Sequence, residues 1–155
     1  GNHKGYEYSR TQNPTRSALQ KSISALANGA HGACFGSGLA AIDCLIKMLK
    51  PGDEVISTND LYGGSYRIFK TIFEKYGIVF HFVNMSNKQN VSDKINAKTK
   101  VIWIETPSNP MINIFDIKAM DEIAKGNKVM VCVDNTFATQ NLQNPVDLGA
   151  GSARN

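Results

Sequence analysis

Apolar positions along this chain recur in two alternating rhythms. Over residues 14–28, Leu19, Ile23 and Leu26 fall at helical spacing, and Asn28-Gly29 offers a C-cap. Ala33-Cys34-Phe35 predicts a short strand, broken by Gly36-Ser37-Gly38. A second helix is predicted from there to Lys50, with Leu39, Ile42, Leu45, Ile46 and Leu49 apolar, and Pro51-Gly52 stops it. Residues 54–58 predict a strand, and residues 65–76 an amphipathic helix ended by Gly77. Residues 78–83 and 101–104 predict two further strands on either side of a polar helix near Ser92. Residues 117–125 predict a helix, and residues 129–133 the most apolar strand of all.

Strands rich in Val and Ile, alternating with helices, predict parallel β-α-β crossovers. The expected fold is therefore α/β, a mainly parallel sheet sandwiched by helices. Residues 1–150 read as one domain without repeats or an interior linker, and residues 151–155, small and polar, read as a tail or an interruption. A length of 155 residues suits one such domain. With 42% hydrophobic and 19% charged residues, disorder, collagen-like repeats and coiled coil are excluded. No apolar run approaches the ~18 residues of a membrane helix. The opening Gly1-Asn2-His3-Lys4-Gly5 has no apolar core of a signal peptide, so a cytoplasmic location is expected.

Charge adds little. The net +4 comes from lysines scattered singly, which describes a solvated surface and not a nucleic-acid face. Cys34, Cys44 and Cys132 are odd in number and lack C-x-x-C spacing, so buried free thiols in a reducing compartment are expected, with no zinc site.

In a parallel sheet, ligands bind beyond the carboxyl ends of the strands. Gly36-Ser37-Gly38 opening a helix reads as a phosphate cup or as a plain tight turn. The same segment matches G-x-G-x-x-A through Ala41, with Asp60 where a ribose-binding acid would sit, which is a dinucleotide-binding reading. That reading leaves Arg10, Tyr62 and Asp134 unexplained. Asp134, following Val129-Met130-Val131-Cys132-Val133, is either a turn cap or the partner of a protonated ring nitrogen. Tyr62, bordered by Gly63-Gly64, is packing or a platform for a flat ring. Arg10 is a surface arginine or a bidentate phosphate ligand.

Five segments together resemble the Cys/Met-metabolism pyridoxal phosphate enzymes, a family that includes cystathionine γ-lyase, γ-synthase and β-lyase and methionine γ-lyase. They are residues 7–16 (Glu7-Tyr8-Ser9-Arg10 onward), Ser37-Gly38-Leu39-Ala40-Ala41, Asp60-Leu61-Tyr62-Gly63-Gly64, residues 103–110 with Glu105-Thr106-Pro107-Ser108-Asn109-Pro110, and Val133-Asp134-Asn135-Thr136-Phe137. The resemblance implies the large domain of fold-type I enzymes and pyridoxal 5'-phosphate as cofactor. It implies that Ser37, Gly38 and Leu39 hold the phosphate, that Tyr62 stacks on the ring and assists elimination, and that Asp134 partners the pyridinium beside Thr136. Asn109 is implied beside the ring hydroxyl and the substrate carboxylate, with Arg67 and Glu105 near the substrate. Tyr8 and Arg10 are implied to reach a neighbouring subunit's phosphate, in a dimer or a tetramer of two dimers.

The resemblance further implies a small sulfur amino acid as substrate, with γ-elimination of cystathionine favoured slightly by residues 8–14 over the cystathionine γ-synthase, β-lyase or methionine γ-lyase reactions, the γ-synthase being close. The family's Schiff-base lysine lies in a Ser-x-Thr-Lys motif beyond the aspartate, and a C-terminal domain binds substrate. None of the thirteen lysines here lies in such a motif, so these residues alone are expected to bind the cofactor weakly and to be inactive.

Overall fold

The computed structural model describes residues 5–154; residues 1–4, read above for a leader, and Asn155 lie outside them. Five strands form one sheet in the order β2-β1-β3-β4-β5, every neighbouring pair parallel. They are β1 (Glu54–Thr58), β2 (Val79–Val83), β3 (Thr99–Glu105), β4 (Met130–Asp134) and β5 (Ser152–Arg154). The helices are α1 (Pro14–Leu26), α2 (Gly38–Ile46), α3 (Gly63–Thr71), α4 (Lys88–Ser92), α5 (Ile117–Asn127) and α6 (Thr139–Leu142).

Successive side chains on a strand point to opposite faces, and here both faces are covered. Ile56, Ile102, Ile104, Val131 and Val133 pack under α5 with Ile117, Met120 and Ala124. Val55, Val101, Trp103 and Cys132 pack on the other face with Ile42 and Ile46 of α2 and Phe69 of α3. Phe69 stacks on Phe80 at 4.6 Å and meets Trp103 edge-on at 5.7 Å. Near-continuous apolar strands are the direct result of this double burial.

Four expectations are corrected. Ala33-Cys34-Phe35 forms no strand: it has no ladder partner, and Phe35 is 45% exposed. The second helix stops at Ile46, where i→i−3 bonds tighten the chain toward Pro51. The helix predicted at 65–76 begins at Gly63 and breaks at Ile72 into a separate 3₁₀ turn, Phe73–Tyr76. Gly77 closes it with φ +81°, a conformation that favours glycine. Residues 152–154, expected in a tail, extend the sheet beside β4: they pair in parallel with Cys132 to Asp134, and Arg154 meets the Asp134 carboxylate at the end of the ladder.

The thiols also differ. Cys132 is buried, which pushes its pKa up to about 12, whereas Cys34 is half-buried and Cys44 exposed; all three are free.

Candidate active site

The carboxyl ends of β3, β4 and β5 and the amino ends of α2 and α3 surround a cavity of about 340 Å³. It is lined by Ser37, Gly38, Leu39, Tyr62, Glu105, Asn109, Asp134, Thr136 and Arg154, among others. The structure thus brings together every expected cofactor residue except Tyr8 and Arg10.

Ser37 is the N-cap of α2, and its hydroxyl accepts from the Ala40 amide at 3.1 Å. The amides of Gly38 and Leu39 precede the first helical hydrogen bond and have no intrahelical acceptor. Together with the positive end of the helix dipole they form a binding place for an anion. Gly38 lets the Arg154 guanidinium lie against the start of α2; a Cβ there would displace it.

Tyr62 is the N-cap of α3, with its ring folded over Gly64 so closely that a Cβ there would strike Cε1. The ring is 45% exposed and faces the cavity. The Tyr62 amide donates to both carboxylate oxygens of Glu105, at 3.0 and 3.1 Å. Glu105 is buried at the end of β3, opposite Asp134 in register. Burial pushes its pKa up to about 7; the Tyr62 and Asn109 amides oppose that rise, and the Asp134 charge adds to it.

Asp134 is 2% exposed. Its Oδ1 accepts from the Thr136 hydroxyl at 2.6 Å and the Thr136 amide at 3.2 Å, so it does cap the following turn. Its Oδ2 pairs with the guanidinium of Arg154. Nothing in the sequence signalled Arg154, because its strand had no apolar pattern.

Asp60, the acid of the dinucleotide-binding reading, does not line the cavity. Its Oδ2 accepts from the Ser108 hydroxyl, the Met111 amide at 3.2 Å and Asn113 Nδ2 at 3.0 Å, organising the loop that carries Asn109. No strand leads into Gly36, so the strand–turn–helix context that a dinucleotide fingerprint needs is missing. The two observations remove that reading.

Three expected residues stand outside the cavity. Arg67 lies on the exposed side of α3. Tyr8 and Arg10 lie exposed before α1, the guanidinium 4.7 Å above the tyrosine ring.

These residues fit pyridoxal phosphate: helix-end amides for a phosphate, an aromatic ring beside a glycine-bordered turn, and a buried carboxylate for a ring nitrogen. Arg154 holds the Asp134 oxygen that Thr136 leaves free, so it would compete with a ring nitrogen for that carboxylate. Among the described residues, no lysine lines the cavity.

Comparison with known proteins agrees with this geometry. The model of the family described as Cys/Met metabolism PLP-dependent enzyme matches residues 1–152. A cystathionine β-lyase of Coxiella burnetii is 45% identical over 150 residues, covering 96% of this chain and 39% of the relative. A probable cystathionine γ-synthase of Herpetosiphon aurantiacus is also 45% identical, covering 97% of this chain and 47% of the relative. The crystal structure of a cystathionine γ-lyase from Lactobacillus plantarum, complexed with L-serine, superposes with a TM-score of 0.94 at 39% identity, covering 97% of this chain and 39% of that one. The chain therefore spans less than half the length of these relatives.

Proposed function

The chain belongs to the Cys/Met metabolism PLP-dependent enzyme family, and on that premise we propose that residues 1–150 form the cofactor-binding part of an enzyme acting on a sulfur amino acid. The specific reading is γ-elimination of cystathionine, with uptake of water, to cysteine, 2-oxobutanoate and ammonia. It is supported by the resemblance of residues 8–14 to the γ-lyases.

One observation carries the site assignment: the α2 amino end, Tyr62 and Asp134 converge on a single cavity. The Gly38 and Leu39 amides bind the phosphate, and the positive end of α2 offsets its charge. Tyr62 supports the face of the ring and stands ready to pass a proton to the departing γ-substituent. Asp134 keeps a proton on the pyridine nitrogen, its own charge steadied by Thr136. Asn109 sits at the rim, where it can donate to the ring hydroxyl or a substrate carboxylate. Pyridoxal phosphate, when bound, supplies the electron sink that acidifies the substrate α-carbon.

Because no amine among the described residues lines the cavity, these residues alone should bind the cofactor weakly and should not cleave cystathionine. Tyr8 and Arg10, exposed and stacked on one another, are assigned to the phosphate site of a second copy in a dimer or a pair of dimers. Leu19, Ile23 and Leu26, exposed on α1, support that assembly. A reducing, cytoplasmic setting suits the three free cysteines.

Titration with pyridoxal phosphate and, separately, with NAD tests the assignment through quenching of the single tryptophan, Trp103. Saturable quenching by pyridoxal phosphate, weakened in Asp134→Ala and absent with NAD, is expected. Tight NAD binding without a pyridoxal phosphate response would overturn it. Cystathionine cleavage by these residues as they stand would overturn the assignment of an absent nucleophile.

A further inference from the structure

The amino end of α3 has no local anchor. Its N-cap is Tyr62, whose side chain makes no capping bond, and its first two residues are Gly63 and Gly64, which are weak helix formers. No acidic residue lies in its first turn. In a capping box, a Glu at the third helical position reaches back to the N-cap amide; here that position is Ser65. The Tyr62 amide is instead held by both oxygens of Glu105, which arrives from the end of β3, 43 residues away.

We propose that Glu105 is a positioning residue for Tyr62: its carboxylate clamps the amino end of α3 and so sets where the phenol ring stands at the cavity, tightly when charged and loosely when protonated. The clamp fixes the Tyr62 backbone at its N–H, and the ring extends from that anchored point across Gly64.

The surroundings make the clamp sensitive to protonation. From α3, Glu105 meets the Tyr62 amide, and from the loop after β3 the Asn109 amide. From β4 it faces the Asp134 carboxylate, and from β5 the Arg154 guanidinium that neutralises Asp134 in part. Burial and the like charge favour its neutral form, which places the switch near neutrality. The inference rests on the cofactor reading only for what lies against the ring; the clamp itself belongs to this chain.

The test follows the Tyr62 amide by ¹H–¹⁵N NMR from pH 5 to 9, without ligand, in the chain and in Glu105→Gln. The Tyr62 resonance should titrate near pH 7 in the chain and stay flat in Glu105→Gln, while Asp134→Asn, which removes the like charge, should move the midpoint to lower pH. Between pH 8 and pH 6, pyridoxal phosphate affinity should fall by roughly tenfold more in the chain than in Glu105→Gln, where only the ligand's own phosphate titrates, the size expected for weakening a hydrogen bond to a charged group. A Tyr62 amide that does not titrate, or that titrates alike in Glu105→Gln, would overturn the clamp. If Glu105→Gln does not fold, the midpoint in the chain and its shift in Asp134→Asn decide the matter. A Glu105-dependent titration without any pyridoxal phosphate binding supports the clamp and removes the cofactor reading instead.

Discussion

Residues 5–36 and the sheet that follows them treat their apolar side chains in opposite ways. In the sheet, Val55, Ile56, Ile102, Trp103 and Ile104 are 0–1% exposed, sealed between α5 on one side and α2 with α3 on the other. In α1, Leu19, Ile23 and Leu26 hold equally regular helical spacing, yet are 51, 37 and 66% exposed, and no residue of that helix is buried. The helix is well begun, with Asn13 accepting from the Thr15 and Arg16 amides and Pro14 at the first position. Periodicity therefore reports which side chains share a face. Whether the same chain covers that face is a separate matter, decided by what packs against it.

The largest effect should come from the sheet. Trp103→Ala should cost about 3–5 kcal/mol in urea denaturation, through lost burial and the cavity left behind. A cost under about 1 kcal/mol would show that this face is looser than its packing indicates. Next, Arg154→Met removes the partner of a buried carboxylate and should cost about 3 kcal/mol. Part of that loss should return on adding pyridoxal phosphate, read as a larger rise in melting temperature than the unaltered chain shows. No ligand-dependent recovery would mean that Arg154 and the cofactor do not compete for Asp134.

Glu105 gives a pH effect of similar or smaller size. Its folded pKa, about 7, lies above its ordinary 4.5, so the folded state holds the proton more tightly than the unfolded one. Stability from this group is full below about pH 4.5 and is lost as pH rises through 7, by an amount on the order of 3 kcal/mol at most. Glu105→Gln should flatten the fall between those pH values in denaturation curves. The smallest effect belongs to α1: Leu26→Ala should change stability by no more than about 0.5 kcal/mol at low protein concentration. A larger loss that grows with concentration would mark this face as an interface between copies.

The sheet was legible because double burial writes itself as runs such as Val131-Cys132-Val133. The cavity was legible because its chemistry sits where strands end: Gly38 and Leu39 at a helix start, Tyr62 beside two glycines, Asp134 after the most apolar strand. What stayed hidden depended on contacts across long separations. Ser152–Arg154 carries no strand pattern and gains its place by pairing with β4. The spacing that makes Asp60 an alternative ribose acid says nothing of Ser108 and Asn113, which return to its carboxylate from about fifty residues away.

The central claim is that one cavity, between the start of α2 and the ends of β3 and β4, holds pyridoxal phosphate. Mapping amide shifts by ¹H–¹⁵N NMR during pyridoxal phosphate addition tests it most directly. Gly38, Leu39, Tyr62 and Thr136 should move together and saturate at one ligand concentration. Shifts confined to other surfaces, or none at concentrations where Trp103 is quenched, would contradict the claim.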